Sequence, residues 1–80
     1  MKKFTLEQLI EVGKSAPRKG EFGIDSCKRE IRRFIEMGKQ KFNIDHNLYE
    51  LLGIYVERVK DDVIYGATMV YACWELINEL

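Results

Sequence analysis

The chain has one proline, one histidine and two cysteines among its 80 residues. Each scarcity closes off a class of protein. Cys27 and Cys73 stand far apart with no CxxC pair, so they form neither a disulfide framework nor a thiolate metal cluster. His46 has only Asp45 beside it, which is no metal-ligand spacing. No metal and no cofactor are therefore expected. The carboxylates are scattered, and only Asp61 and Asp62 are adjacent. Paired acids need an enclosing pocket to do acid–base work, and no nucleophile–base–orienter set is legible; a non-enzyme is expected. A membrane-length apolar run is also missing. The longest, Val63–Ile77, falls short of the roughly 20 residues that span a bilayer, and Asp61 and Asp62 precede it. Met1-Lys2-Lys3 resembles the start of a signal peptide, but Glu7 and Glu11 interrupt the apolar stretch that should follow. These absences point to a cytoplasmic protein.

What is present is a globular composition, 46% hydrophobic and 32% charged, which sets a single domain over residues 1–80. The formal net charge is zero, but the charge is not evenly spread. Residues 1–42 carry 11 Lys/Arg and 6 Asp/Glu, and residues 43–80 carry 2 and 7. Either the first half presents a basic binding face, or the two halves attract each other when packed.

The apolar spacing predicts an all-α fold, a small bundle of three to four helices at about 5–15, 26–42, 47–60 and 62–79. Thr5 and Gln8 make a capping box, with Phe4 placed to staple onto Leu9. Pro17, Gly20 and Gly23 mark 16–24 as a loop. Asp25 or Ser26 is positioned to cap the second helix, whose stripe is Cys27, Ile31, Phe34, Ile35, Gly38 and Phe42. Asn47 caps the third, with Glu50 completing a second box. Lys60-Asp61-Asp62 is polar enough for a turn but has no Gly or Pro, so the third and fourth helices are either separate or continuous. The β-branched residues of 63–72 also suit a strand; the length of the pattern favours helix.

Two phosphate-binding patterns fail on context. Gly13-Lys14-Ser15 ends like a Walker A loop, but position 8 is Gln and a helix precedes it where a strand is required. Residues 34–52 can be laid on a helix-turn-helix, but the second helix would present Leu48, Tyr49, Glu50, Leu51 and Leu52, the wrong character for a major groove. A basic face remains as an alternative site for nucleic acid: Lys14, Arg18 and Lys19 in and beside the loop, with Lys28, Arg29, Arg32 and Arg33 on the second helix. Aromatics that would stack on bases are missing from it.

The most informative segment is the fourth helix, which is apolar all round. Tyr65, Met69, Ala72 and Leu76 mark one face, and Val63, Ala67, Val70, Trp74 and Ile77 another. Either it is the central helix of a tight bundle, or something outside the chain covers part of it. The second option makes Tyr65, Met69, Tyr71 and Trp74 partner-binding anchors. It also lets Gly66, Ala67 and Ala72 admit a second copy closely in a homodimer.

The tail Tyr65…Ala72-Cys73-Trp74-Glu75-Leu76 resembles the C-terminal end of a small phage-encoded anti-CRISPR family that inhibits type II-C CRISPR nucleases. That family has a Tyr eight residues before a Cys-Trp-Glu and then an aromatic. The likeness covers residues 65–75 only. Ala72 stands where the family has a serine, and the family's mixed α/β character departs from the all-α pattern here. The resemblance implies a phage inhibitor whose residues around Cys73, with Ala72, press on a nuclease. The sequence thus leads to a small regulator or inhibitor that binds a protein partner through its C-terminal helix.

Overall fold

Thr5 and Gln8 exchange the two hydrogen bonds their spacing predicts. The Thr5 amide donates to Gln8 Oε1 at 2.9 Å and the Gln8 amide to Thr5 Oγ1 at 3.2 Å. They open α1, Leu6–Ser15. The structure, a computed structural model, describes residues 4–15, 18–59 and 61–80. The Met1-Lys2-Lys3 segment, Ala16 and Pro17 of the expected loop, and Lys60 of the expected turn lie outside the described residues.

Three more helices follow: α2, Ile24–Phe42; α3, Leu48–Arg58; and α4, Val63–Asn78. The fold is an all-α bundle, as the periodicity predicts. A short 3₁₀ turn, Gly20–Phe22, precedes α2 and was not legible in the sequence. It moves the start of α2 ahead of the expected caps: Gly23 is the N-cap, and Asp25 lies in the first turn. Asn43, in the left-handed conformation (φ 52°), ends α2, and the amides of Asn43 and Ile44 both donate to the Gly38 carbonyl. Asn47 Oδ1 accepts from the Glu50 amide at 2.7 Å to open α3. Asp62 Oδ1 accepts from the Tyr65 amide at 3.0 Å to open α4, so α3 and α4 are separate helices. They run antiparallel: Cys73 Sγ donates to the Leu48 carbonyl, and Val59 packs on Gly66 at the other end.

α4 is the hub. α1, α2 and α3 each pack on it rather than on one another. Ala67, Val70, Ala72, Cys73 and Leu76 are buried there, with Leu9, Cys27, Ile31, Leu51 and Leu52 closing around them. Of the two alternatives, α4 is the central helix, with Val63, Tyr65, Met69, Tyr71, Trp74 and Ile77 half-buried around it. Among the large apolar residues of α4, Ile64 alone is exposed. The face that sequence reading left to one short helix is closed by α1, because Gly13 lets α1 approach tightly. A Cβ there would stand 2.6 Å from Tyr71 Cβ and 2.7 Å from the Ala67 carbonyl oxygen. The small residues expected to admit a second copy instead serve this chain's own contacts, Ala67 with Gly13 and Gly66 with Val59.

The charge asymmetry resolves the same way. The ion pairs Lys28–Glu75, Lys28–Glu79, Arg32–Glu79, Arg18–Asp62 and Lys39–Asp45 each join a cation of the first half to a carboxylate of the second.

Candidate functional site

α2 is the longest helix and outruns the core. Its Arg32 already meets Glu79 at the end of α4, and Phe42 lies about 15 Å further along at 1.5 Å per residue. Two members of the expected apolar stripe lie outside the core: Phe34 is 50% exposed and Phe42 68%. The overhang takes Phe42 past the core, whereas Phe34 lies at its side, beside Leu51 and Met69. The returning loop shields only one side of Phe34. His46 stacks on its ring with centroids 4.8 Å apart, and His46 fits there because Gly38 has no side chain; a Cβ would meet the imidazole at 3.0 Å.

Because α2 and α3 both pack on α4 instead of on each other, a groove opens between them. It has a volume of about 380 Å³ and is lined by Glu30, Phe34, His46, Ile54, Tyr55 and Met69 among others. A second hollow, of about 410 Å³, lies between α3 and α4 and is lined by Val59, Asp61, Tyr65 and Gly66 among others. Tyr55, Arg58 and Met69 line both, so the groove and the hollow adjoin. Their walls are aromatic and aliphatic, with Glu30, Arg58 and Asp61 as charged margins. Burial pushes the Tyr55 and Tyr65 hydroxyls above the ordinary tyrosine range, with the Glu30 carboxylate adding to it. Both phenols are therefore neutral donors at neutral pH.

The residues picked from sequence fall into three groups. Tyr65 lines the hollow, and Met69 lines both hollow and groove. Tyr65 is further fixed by an edge-on contact with Phe22, centroids 5.9 Å apart, and by the Arg18 guanidinium over its ring. Tyr71 and Trp74 lie elsewhere, stacked on each other at 6.2 Å, with Gly13 against Tyr71 and the Lys14 ammonium over Trp74. Cys73 is fully buried, and burial pushes its thiol up to about 11. As a contact residue Cys73 is corrected: neither it nor Ala72 offers surface to a partner, since both have zero exposure.

The expected basic face is divided. Lys28 and Arg32 are committed to Glu75 and Glu79, and Arg18 to Asp62. Arg29 donates to Ser26. Lys14 sits on the α1 side over Trp74, and Lys19 is exposed in the loop before α2. Arg33 is exposed and makes no ion pair among the described residues. The seven cations do not converge on one surface.

Sequence reading missed Phe34, Ile54, Tyr55 and Arg58 as wall residues. Phe34 and Tyr55 carried a signal, their place in apolar stripes, but a stripe does not tell core from groove wall. Among the described residues no group of three or more His, Cys, Asp or Glu is arranged to hold a metal ion, and no helix is long and apolar enough to cross a membrane. Comparison with known proteins finds no matching family model, no matching curated protein and no matching solved structure.

Proposed function

We propose that this chain is a small non-enzymatic interaction module that binds a protein partner in the groove between α2 and α3 and modulates it by occupying that partner's surface. The observation that carries the reading is the groove itself. It has aromatic and Met walls, it includes Met69 of the apolar helix that sequence analysis singled out, and it adjoins the hollow lined by Tyr65 of the same helix. Exposed apolar surface of this kind, rimmed by charge, characterises protein-binding sites. Met69 adds an adaptable side chain at the centre. The nucleic-acid alternative has less support, because Arg18, Lys28 and Arg32 pair with carboxylates within the chain and leave Lys14, Lys19, Arg29 and Arg33 without an ion pair among the described residues.

The test begins with a protein captured from the source cells and then purified. Its binding to wild type, Phe34→Ser and Ile54→Asn is measured by calorimetry beside a variant on the far side, Lys14→Ser. Both groove variants should weaken binding about tenfold or more, the usual range for an anchor residue, while Lys14→Ser binds as wild type. Unchanged binding by both groove variants sinks the proposal. A steep fall of affinity with salt would revive the nucleic-acid reading if the captured component were nucleic acid.

A further inference from the structure

The groove carries polar groups that this chain leaves without partners. Glu30 stands on its α2 wall, exposed and with no hydrogen bond or ion pair among the described residues. Tyr55 of α3 lines both the groove and the adjoining hollow, and Tyr65 of α4 lines the hollow. Both tyrosines are half-buried, and neither hydroxyl has a hydrogen-bond partner among the described residues. The Glu30 charge is felt at both phenols, so a carboxylate from α2 and hydroxyls from α3 and α4 lie about one region. Phe34, one turn along α2 from Glu30, and the Tyr55 ring add aromatic surface to it, with Met69 between them.

The chemistry of this set selects its occupant. A carboxylate offers only acceptors, and a phenol oxygen accepts as well as donates. Aromatic faces attract cations. An anion would be repelled by Glu30, and a purely apolar group would bury three polar groups unsatisfied. An ammonium or guanidinium carries several N–H donors and no acceptor, which matches. Arg58 lines the α3 side, exposed and also without an ion pair among the described residues. It repels a cation from that side and leaves the Glu30 side as the seat. We propose that the groove receives a basic side chain, lysine or arginine, from the partner protein, seated between Glu30 and the hydroxyls of Tyr55 and Tyr65. That a partner protein supplies it rests on the reading of the groove given above.

The full chain, isotope-labelled for amide NMR, is titrated with n-butylguanidinium, n-pentylammonium and, as an uncharged control, n-butylurea. Ligands of this size bind in about the millimolar range. At least one cation should move the amides around Glu30, Tyr55 and Tyr65 and bind about threefold or more tighter than the urea, since hydrogen bonds between charged groups are the stronger ones. The tighter of the two cations distinguishes arginine from lysine. Glu30→Gln should remove the preference, and Glu7→Gln, on α1, should keep it. No binding by either cation up to about 50 mM, a urea that binds as tightly as the cations, or a preference that survives Glu30→Gln overturns the proposal, as does equal loss in Glu7→Gln. No partner protein enters this titration. Unselective probes leave the groove reading to its calorimetric test, and a partner indifferent to Phe34→Ser and Ile54→Asn sinks that reading whatever the probes do.

Discussion

Gly13 of α1 and Tyr71 of α4 meet so closely that a methyl group on Gly13 would stand 2.6 Å from Tyr71 Cβ. Alanine at position 13 gains about 1 kcal/mol of helix propensity. Against that, it must push two helices apart, because the second obstacle is the Ala67 backbone carbonyl, which no rotamer change can move. Overpacking of this sort costs typically 1–3 kcal/mol. Gly13→Ala should therefore lower the thermal midpoint, although it is the better helix former. Gly53→Ala should raise the midpoint by the equivalent of about 0.5–1 kcal/mol, since the added methyl meets nothing. Thermal melts of the two variants, followed at 222 nm in dilute solution, check the opposite signs; equal signs would mean the α1–α4 contact is looser than described.

That pair also shows what the sequence could and could not convey. The helices, two side-chain caps and the all-α class were legible because they rest on local spacing: Thr5 with Gln8, Asn47 with Glu50, and an unbroken apolar run from Val63. Whether α4 is covered from within the chain was not legible. An apolar α4 reads alike whether its cover comes from α1 or from another molecule, and the deciding contact joins residues 13 and 71. Phe34 and Phe42 were misplaced for a related reason. Their spacing is correct for a buried stripe, but the length of α2 relative to α4 takes Phe42 past the core, and Phe34 falls at the side of the core, in the groove. Tyr65 and Met69 were found and Ile54 and Arg58 were not, because only the first two lie on the helix whose composition drew notice.

Thr68 is a fully buried hydroxyl with two backbone partners. It donates to the Ile64 carbonyl at 2.8 Å and accepts from the Arg18 amide at 3.0 Å, holding the segment before α2 on α4. Thr68→Val keeps the volume but removes the acceptor, leaving a partly buried amide unsatisfied at a cost of about 1–3 kcal/mol. Hydrogen exchange at Arg18 should accelerate by more than the global loss of stability accounts for. Exchange that accelerates only in step with the loss of global stability would show that Thr68 does not hold this segment.

Phe34 and Val70 make a paired test of which apolar residues belong to the core. Val70 has zero exposure, and Phe34 is half exposed. Val70→Ala should cost about 1–3 kcal/mol through lost burial and the cavity left behind. Phe34→Ser should cost less, since only part of the ring is covered, by His46 and the groove walls. Urea denaturation with a common m-value ranks them. A larger loss for Phe34→Ser would mean that this ring is a structural keystone and not free wall surface.

Alkaline pH isolates the Cys73 thiol. In the folded chain burial raises it from its ordinary 9.0 to about 11, so the folded state keeps a proton that the unfolded state releases. The stabilising difference is complete below pH 9.0 and is lost as pH rises towards about 11. By about pH 10 the loss from this group alone is on the order of 1 kcal/mol. Cys27, Tyr55 and Tyr65 are also raised, chiefly by burial, and act in the same direction. Cys73→Ser replaces the thiol by a hydroxyl that does not titrate and can still donate to the Leu48 carbonyl. Urea midpoints at about pH 8 and about pH 10 should therefore fall for both proteins, but by less in the variant. An identical fall in both would mean that Cys73 is accessible to water and ionises in the folded chain as readily as in the unfolded one.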